Sequence, residues 1–168
     1  MTKNKSHRNP RIASALSGIA LAAVAVTALT GAAPVPASAS GDWAAPAPRD
    51  VEARVEAAGL KMLDSEKLTM HIHPHLTVYA GGRQVTVPAD IGIDRSGAKP
   101  RYSPLHTHDT SGTVHVESAQ WRDFTLGQFL TEWGVRPTCR AEVDGAPVAG
   151  DPARIVFRDG QEITLRCR

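Results

Sequence analysis

The chain has 168 residues, a formal net charge of +2 and 5% aromatic residues, a length suited to one domain with or without a tail. Lys3, Lys5, Arg8 and Arg11 are four of its 19 basic residues, so the rest of the chain carries 15 against 17 acidic ones. With no basic stripe and few aromatics, this composition argues against a nucleic-acid partner.

The four basic residues lead into an apolar, alanine-rich run from Ile12 to Leu29. Ala37-Ser38-Ala39 fits the small-residue rule for cleavage. Residues 1–39 therefore read as a secretory signal peptide, with Ser40 as the mature N-terminus and no membrane anchor after cleavage. A retained transmembrane anchor is the competing reading, but the small residues of the run are weakly hydrophobic. No Cys follows the run, which argues against a lipoprotein, and no Arg-Arg pair suggests the twin-arginine route. The expected location is secreted or extracytoplasmic, in the cell envelope. Export makes a Cys139–Cys167 disulfide the default for the two cysteines, with thiolate metal ligation as the alternative.

Residues 40–50 carry Ala, Pro and Gly and one large apolar residue, Trp43, and read as a flexible linker. Residues 51–168 read as a single α+β domain. Val51, Val55, Ala58 and Met62 are spaced for a short amphipathic helix over Val51 to Leu63, which Gly59 weakens. Met70 to Ala80 alternates as a strand does. Ile72, Leu76 and Val78 share one parity, and His71, His73, His75, Thr77 and Tyr79 share the other. Pro74 lacks an N–H, so the strand is expected at an edge or bulged there. Gly81-Gly82 marks a hairpin turn into Gln84–Ile93, which Pro88 interrupts near Val87. Asp94 to Pro104 reads as a loop.

Leu105 to His108 is a short extended piece, and Asp109 to Gly112 a turn. Thr113 to Glu117 repeats the first strand's parity: Val114 and Val116 on one face, His115 and Glu117 on the other. Thr125 is the expected N-cap of a helix whose stripe is Leu126, Phe129, Leu130 and Trp133, ended by Gly134. Cys139 to Val143, a turn at Asp144-Gly145, a short strand at Arg154 to Phe157, a turn at Asp159-Gly160 and a last strand from Glu162 to Cys167 complete the order. The expected fold is α+β, a small mixed sheet packed on one main helix, with a histidine-lined sheet face. The pattern resembles the β-grasp arrangement of ubiquitin-like and sulfur-carrier proteins, including the turn Asp159-Gly160-Gln161-Glu162-Ile163 before the last strand.

Of the seven histidines, all but His7 fall between His71 and His115. Interleaved with core aliphatics at i, i+2 spacing, they point to metal binding, because neutral imidazole is the commonest protein metal ligand. A pH switch and structural hydrogen bonding are the competing readings. The expected ligands are His71, His73, His75, His106, His108 and His115. Glu117 and Asp109 are expected as additional ligands or as orienters of the histidines. Alternate residues on a strand are about 6.5–7 Å apart, so one ion takes two of His71, His73 and His75. The pair His73/His75 is preferred over His71, with the shell completed from His106, His108 and His115. Copper(II) or zinc, one or two ions per chain, suits such a nitrogen-rich set. Copper(II) is placed first because it binds nitrogen ligands more tightly.

His73-Pro74-His75-Leu76, Leu105-His106-Thr107-His108-Asp109, Ser111-Gly112, His115-Val116-Glu117 and Phe124-Thr125-Leu126-Gly127-Gln128-Phe129 together resemble a recurring set in exported bacterial proteins of uncharacterised function. The resemblance covers residues 60–135 and implies that these motifs travel together; it implies no mechanism.

The sequence thus points to an exported metal-binding protein for storage, delivery, sensing or scavenging. A metal-dependent hydrolase or oxidase with an open metal position is the alternative. An adhesion or scaffold domain with a structural metal is the third reading. There is no His-Glu-x-x-His motif and no nucleophile elbow to support catalysis. The sequence names no protein partner.

Overall fold

The computed structural model describes Trp43, residues 47–67 and residues 69–168. The expected signal peptide lies outside the described residues. Among the described residues, no helix is long and apolar enough to cross a membrane.

The chain is α+β. Helix α1 (Val51–Ala57) is followed by β1 (Met70–Ile72), β2 (His75–Ala80), β3 (Arg83–Val85), β4 (Ile93–Asp94), β5 (Arg101–Tyr102), β6 (Leu105–His106) and β7 (His115–Ser118). Then come α2 (Leu126–Trp133), β8 (Cys139–Val143), β9 (Ala146–Pro147), a 3₁₀ turn (Pro152–Arg154) and β10 (Glu162–Cys167). A five-stranded sheet has the order β3-β2-β10-β8-β9, in which β2 and β10 run parallel and the other neighbours antiparallel. A three-stranded antiparallel sheet, β1-β7-β6, stands apart from it, and β4 pairs with β5.

The expected strand Met70–Ala80 is therefore two strands in two sheets. Pro74 has no N–H to give a ladder, and the chain changes sheet at this residue. His73 N–H turns to the Asp159 carboxylate at 2.9 Å, while the Pro74 carbonyl accepts from Val114 at 2.9 Å. Past the corner, His75 N–H donates to the Gln161 carbonyl and Leu76 N–H to that of Gly112, each at 2.8 Å. Gly112 has φ +93°, and a Cβ there would meet the Leu76 carbonyl at 2.5 Å and His75 Nε2 at 3.1 Å. Glycine is what lets these backbones approach.

Helix α2 follows its sequence closely. Thr125 Oγ1 accepts from Gln128 N–H at 3.3 Å, Gln128 Oε1 accepts from Thr125 N–H at 3.0 Å, and Gly134 ends the helix at φ +84°. Its buried Leu126, Phe129, Leu130 and Trp133 share one core with Leu76, Val78, Ile163 and Leu165 of the large sheet, and with Ile72, Leu105 and Val116 of the small one. Trp43 lies with its ring 5.1 Å from that of Trp133. Cys139 and Cys167 face each other across β8 and β10 and form a disulfide.

Four expectations are corrected. The first helix stops at Ala57, and Gly59 at φ +73° turns the chain out of it. The return strand over Gln84–Ile93, expected to be interrupted near Val87, stops sooner: β3 ends at Val85 and β4 begins only at Ile93. Pro88 and the left-handed Asp90 (φ +62°) and Gly92 (φ +70°) lie between. The stretch read as a loop after Asp94 returns through β5 as a short hairpin. At Arg154–Phe157 a 3₁₀ turn leads to a single bridge, Val156 to Thr125.

Candidate metal centre

The small sheet brings distant parts of the sequence together. Its register sets His71 opposite Glu117 and His106 opposite His115. His73 is at the β1–β2 corner, and His108 follows β6. Thr107 anchors the segment between His106 and His108. Its buried hydroxyl donates to the Pro88 carbonyl at 2.8 Å and accepts from Ile91 N–H at 3.1 Å.

Five imidazoles form one cluster. Ring centroids are 4.4 Å apart for His71 and His73, 4.6 Å for His73 and His115, and 4.5 Å for His108 and His115. His106 lies 4.9 Å from His108 and stacks on His115 at 5.4 Å. Three sets of side chains have potential ligand atoms all within 4.8 Å of one another: His71/His73/His115, His106/His108/His115 and Glu66/His106/Glu117. Each set could hold a metal ion.

The best-defined donor is His106, whose side chain is fully buried. Its Nδ1 lies 2.9 Å from the Ser103 carbonyl, which can only accept, so Nδ1 carries the proton. In the neutral ring the lone pair is then on Nε2, and Nε2 has no hydrogen-bond partner among the described residues. His115 Nδ1 and Glu117 Oε2 are likewise buried without one. Unpaired buried polar atoms are costly, and metal ligation would satisfy such atoms. Fixing one imidazole nitrogen on a carbonyl while the other faces the ion is the usual way a ligand histidine is oriented.

The electrostatics favour the metal-binding protonation state. Burial pushes the His106 imidazole down to about 4; His108, His115 and His71 add to this, against the Ser103 hydrogen bond, which raises it. Burial also pushes His115 down to about 4, with His108, His73 and His71 acting in the same direction. Both rings are therefore neutral at neutral pH, as ligation requires. Burial and the nearby Glu66 carboxylate push Glu117 above the usual glutamate range.

Two expected residues stand outside the three sets. His75 is on the large sheet, with Nδ1 2.9 Å from Glu162 Oε2 and Nε2 2.9 Å from the Ser111 carbonyl. Neither nitrogen is turned to the cluster. Asp109 Oδ1 accepts from Ser111 N–H at 2.8 Å within its own turn. Of the preferred pair His73/His75, His73 falls in a set with His71 and His115 and His75 in none, because the corner at Pro74 sends His75 to the other sheet. Glu66, not anticipated from the sequence, lies 3.3 Å from His108 Nε2. Its position five residues before His71, outside any periodic element, carried no signal. Ser103 and Glu132, which support His106 from behind, were equally silent.

Fold and site together define an α+β protein with a histidine and glutamate cluster able to hold a metal ion. Comparison with protein families, with curated proteins and with solved structures finds no match to this chain.

Proposed function

We propose that this is an exported metal-binding protein that captures copper(II) or zinc on a histidine-lined face of the small sheet. The observation that carries the reading is His106: buried, held by Ser103 on one nitrogen, with the other nitrogen unpartnered among four further imidazoles. The register supports the shared face, since alternation puts His71, Glu117, His115 and His106 opposite to Ile72, Val116 and Leu105. The leader pattern and the disulfide support export. The order β3-β2-β10-β8-β9 with parallel central strands supports a β-grasp reading of the large sheet.

Partial exposure suits capture and release. The side chains of His71 and His108 are 35% and 39% accessible, so an ion can reach them without opening the core. The same access favours, as a second reading, a metal-dependent enzyme with an open ligand position.

The test is metal titration and elemental analysis of the chain from Ser40 onward. Tight binding of Zn(II) or Cu(II) is expected, weakened at least tenfold by His106→Ala. Absence of binding in the unaltered chain would overturn the reading.

A further inference from the structure

We infer that the cluster is a two-ion centre bridged by the Glu117 carboxylate. The inference rests on the metal-binding reading above and specifies how that site is divided.

The donors are too many and too spread for one ion. Five imidazoles and two carboxylates exceed the four ligands of a tetrahedral zinc site. No set of mutually close donors joins His71 or His73 to His106, His108 or Glu66 among the described residues. Two atoms bound to one tetrahedral ion at about 2.0–2.1 Å lie ~3.3–3.4 Å apart. Two donor pairs have nearly that spacing and no residue in common: His71 Nε2 to Glu117 Oε1 at 3.2 Å, and His108 Nε2 to Glu66 Oε1 at 3.3 Å. Each pair marks a different ion.

The remaining donors divide accordingly. His73 belongs with His71, and His115 is grouped both with that pair and with His106 and His108. His106 is grouped with His108 in one set and with Glu66 and Glu117 in another, its Nε2 lying 3.9 Å from Glu66 Oε1. Glu117 touches both halves: its Oε1 is 3.2 Å from His71 and 3.9 Å from both His106 Nε2 and His115 Nδ1. Its Oε2 is buried and unpartnered. A carboxylate with one oxygen for each cation both ligates them and offsets their mutual repulsion. Ions about 3.5–4 Å apart are the usual product of such a bridge. Glu66 thereby becomes a ligand of the second ion.

The experiment titrates the chain from Ser40 with Zn(II) by calorimetry and with Cu(II) by electron paramagnetic resonance. Binding is expected to saturate at two ions per chain. The second Cu(II) should not double the signal of the first but convert it to a spin-coupled spectrum with a half-field line. His71→Ala/His73→Ala and Glu66→Ala/His108→Ala should each leave one ion bound and abolish coupling. Glu117→Gln should abolish coupling and weaken the second ion at least tenfold. Circular dichroism checks that each variant folds, and the unaltered chain's stoichiometry decides the matter even where one does not. Saturation at one ion would overturn the two-ion centre while leaving the metal-binding reading intact. Two ions with independent, additive spectra would overturn the Glu117 bridge. No ion bound to the unaltered chain would remove the metal-binding reading itself.

Discussion

The Ser103 hydroxyl donates a 2.6 Å hydrogen bond to Glu132 Oε1, inside the protein and behind the histidine cluster. The same serine's carbonyl receives the Nδ1–H of His106, and its hydroxyl accepts from Leu105 N–H at 3.1 Å. One residue thus ties helix α2 to β6 and fixes the ring of a candidate ligand. Gly92 makes room for the arrangement: a Cβ there would overlap the Leu105 carbonyl and lie 2.8 Å from Glu132 Oε2.

Glu132 gives the first prediction. Burial pushes its carboxyl up to about 8, against the Ser103 hydrogen bond, which lowers it. Between the ordinary glutamate value and about 8 the folded chain holds a proton that the unfolded chain has lost. Stability must therefore fall as pH rises through this window and level off above it. The full drop is on the order of 4–5 kcal/mol. Glu132→Gln should remove this slope, so that the variant is the more stable protein at pH 9. Urea unfolding from pH 5 to pH 9 measures it; parallel pH profiles for the two proteins would contradict the assignment.

His75 gives the second. With its nitrogens on Glu162 and Ser111, it ties β2 to β10 and to the turn before β7. His75→Ala should leave metal stoichiometry and affinity unchanged and cost about 1 kcal/mol of stability. His115→Ala should do the reverse, since its Nδ1 has no partner to lose. Loss of metal affinity in His75→Ala would return this residue to the ligand set.

These contrasts show how far the site was legible in sequence. Alternation alone set His71 and Glu117 apart from Ile72 and Val116, because a strand has only two faces. It could not show that Pro74 ends one sheet and begins another, since His71, His73 and His75 keep the same parity across it. Helix α2 was readable because Thr125, Gln128 and Gly134 act through local hydrogen bonds. Glu66, Ser103 and Glu132 were not, because their roles depend on approach of segments distant in sequence. Gly92 and Gly112 show the same limit: each is required by a neighbouring carbonyl that only the folded chain supplies.

The disulfide gives the third prediction. Cys139 and Cys167 are 28 residues apart and pair at the end of β10, where that strand also holds β2. Cys139→Ser/Cys167→Ser should lower unfolding stability by about 3–4 kcal/mol, as loop closure predicts. Denaturant unfolding reads the change. The cluster lies on the other sheet, so a folded double variant should still bind metal. An unchanged midpoint with unchanged slope would show that the bond contributes nothing to stability.

The last prediction concerns metal and acid together. An ion that binds only the folded chain raises its stability in proportion to the logarithm of occupancy, so Zn(II) should raise the unfolding temperature at pH 7. Protons compete for the same nitrogens. An ordinary histidine would begin to lose its lone pair below about pH 6.5. His106 and His115 are held down to about 4 by burial, so they stay neutral well below that point. In unfolded chains these rings take up protons near the ordinary value, while in the folded chain they do not until about pH 4. Metal-free stability should therefore fall as pH drops through this interval. Part of the zinc-induced gain should persist at pH 5.5 and disappear near pH 4. Thermal unfolding with and without Zn(II), at pH 7, 5.5 and 4, separates the two effects. In His106→Ala the gain at pH 5.5 should be smaller than in the unaltered chain by a larger fraction than at pH 7, because the variant keeps His115 but otherwise relies on the more exposed rings. If zinc raised the unfolding temperature equally at all three pH values, imidazole ligation would be wrong. If the gain were already lost at pH 5.5, the buried histidines would not be the ligands.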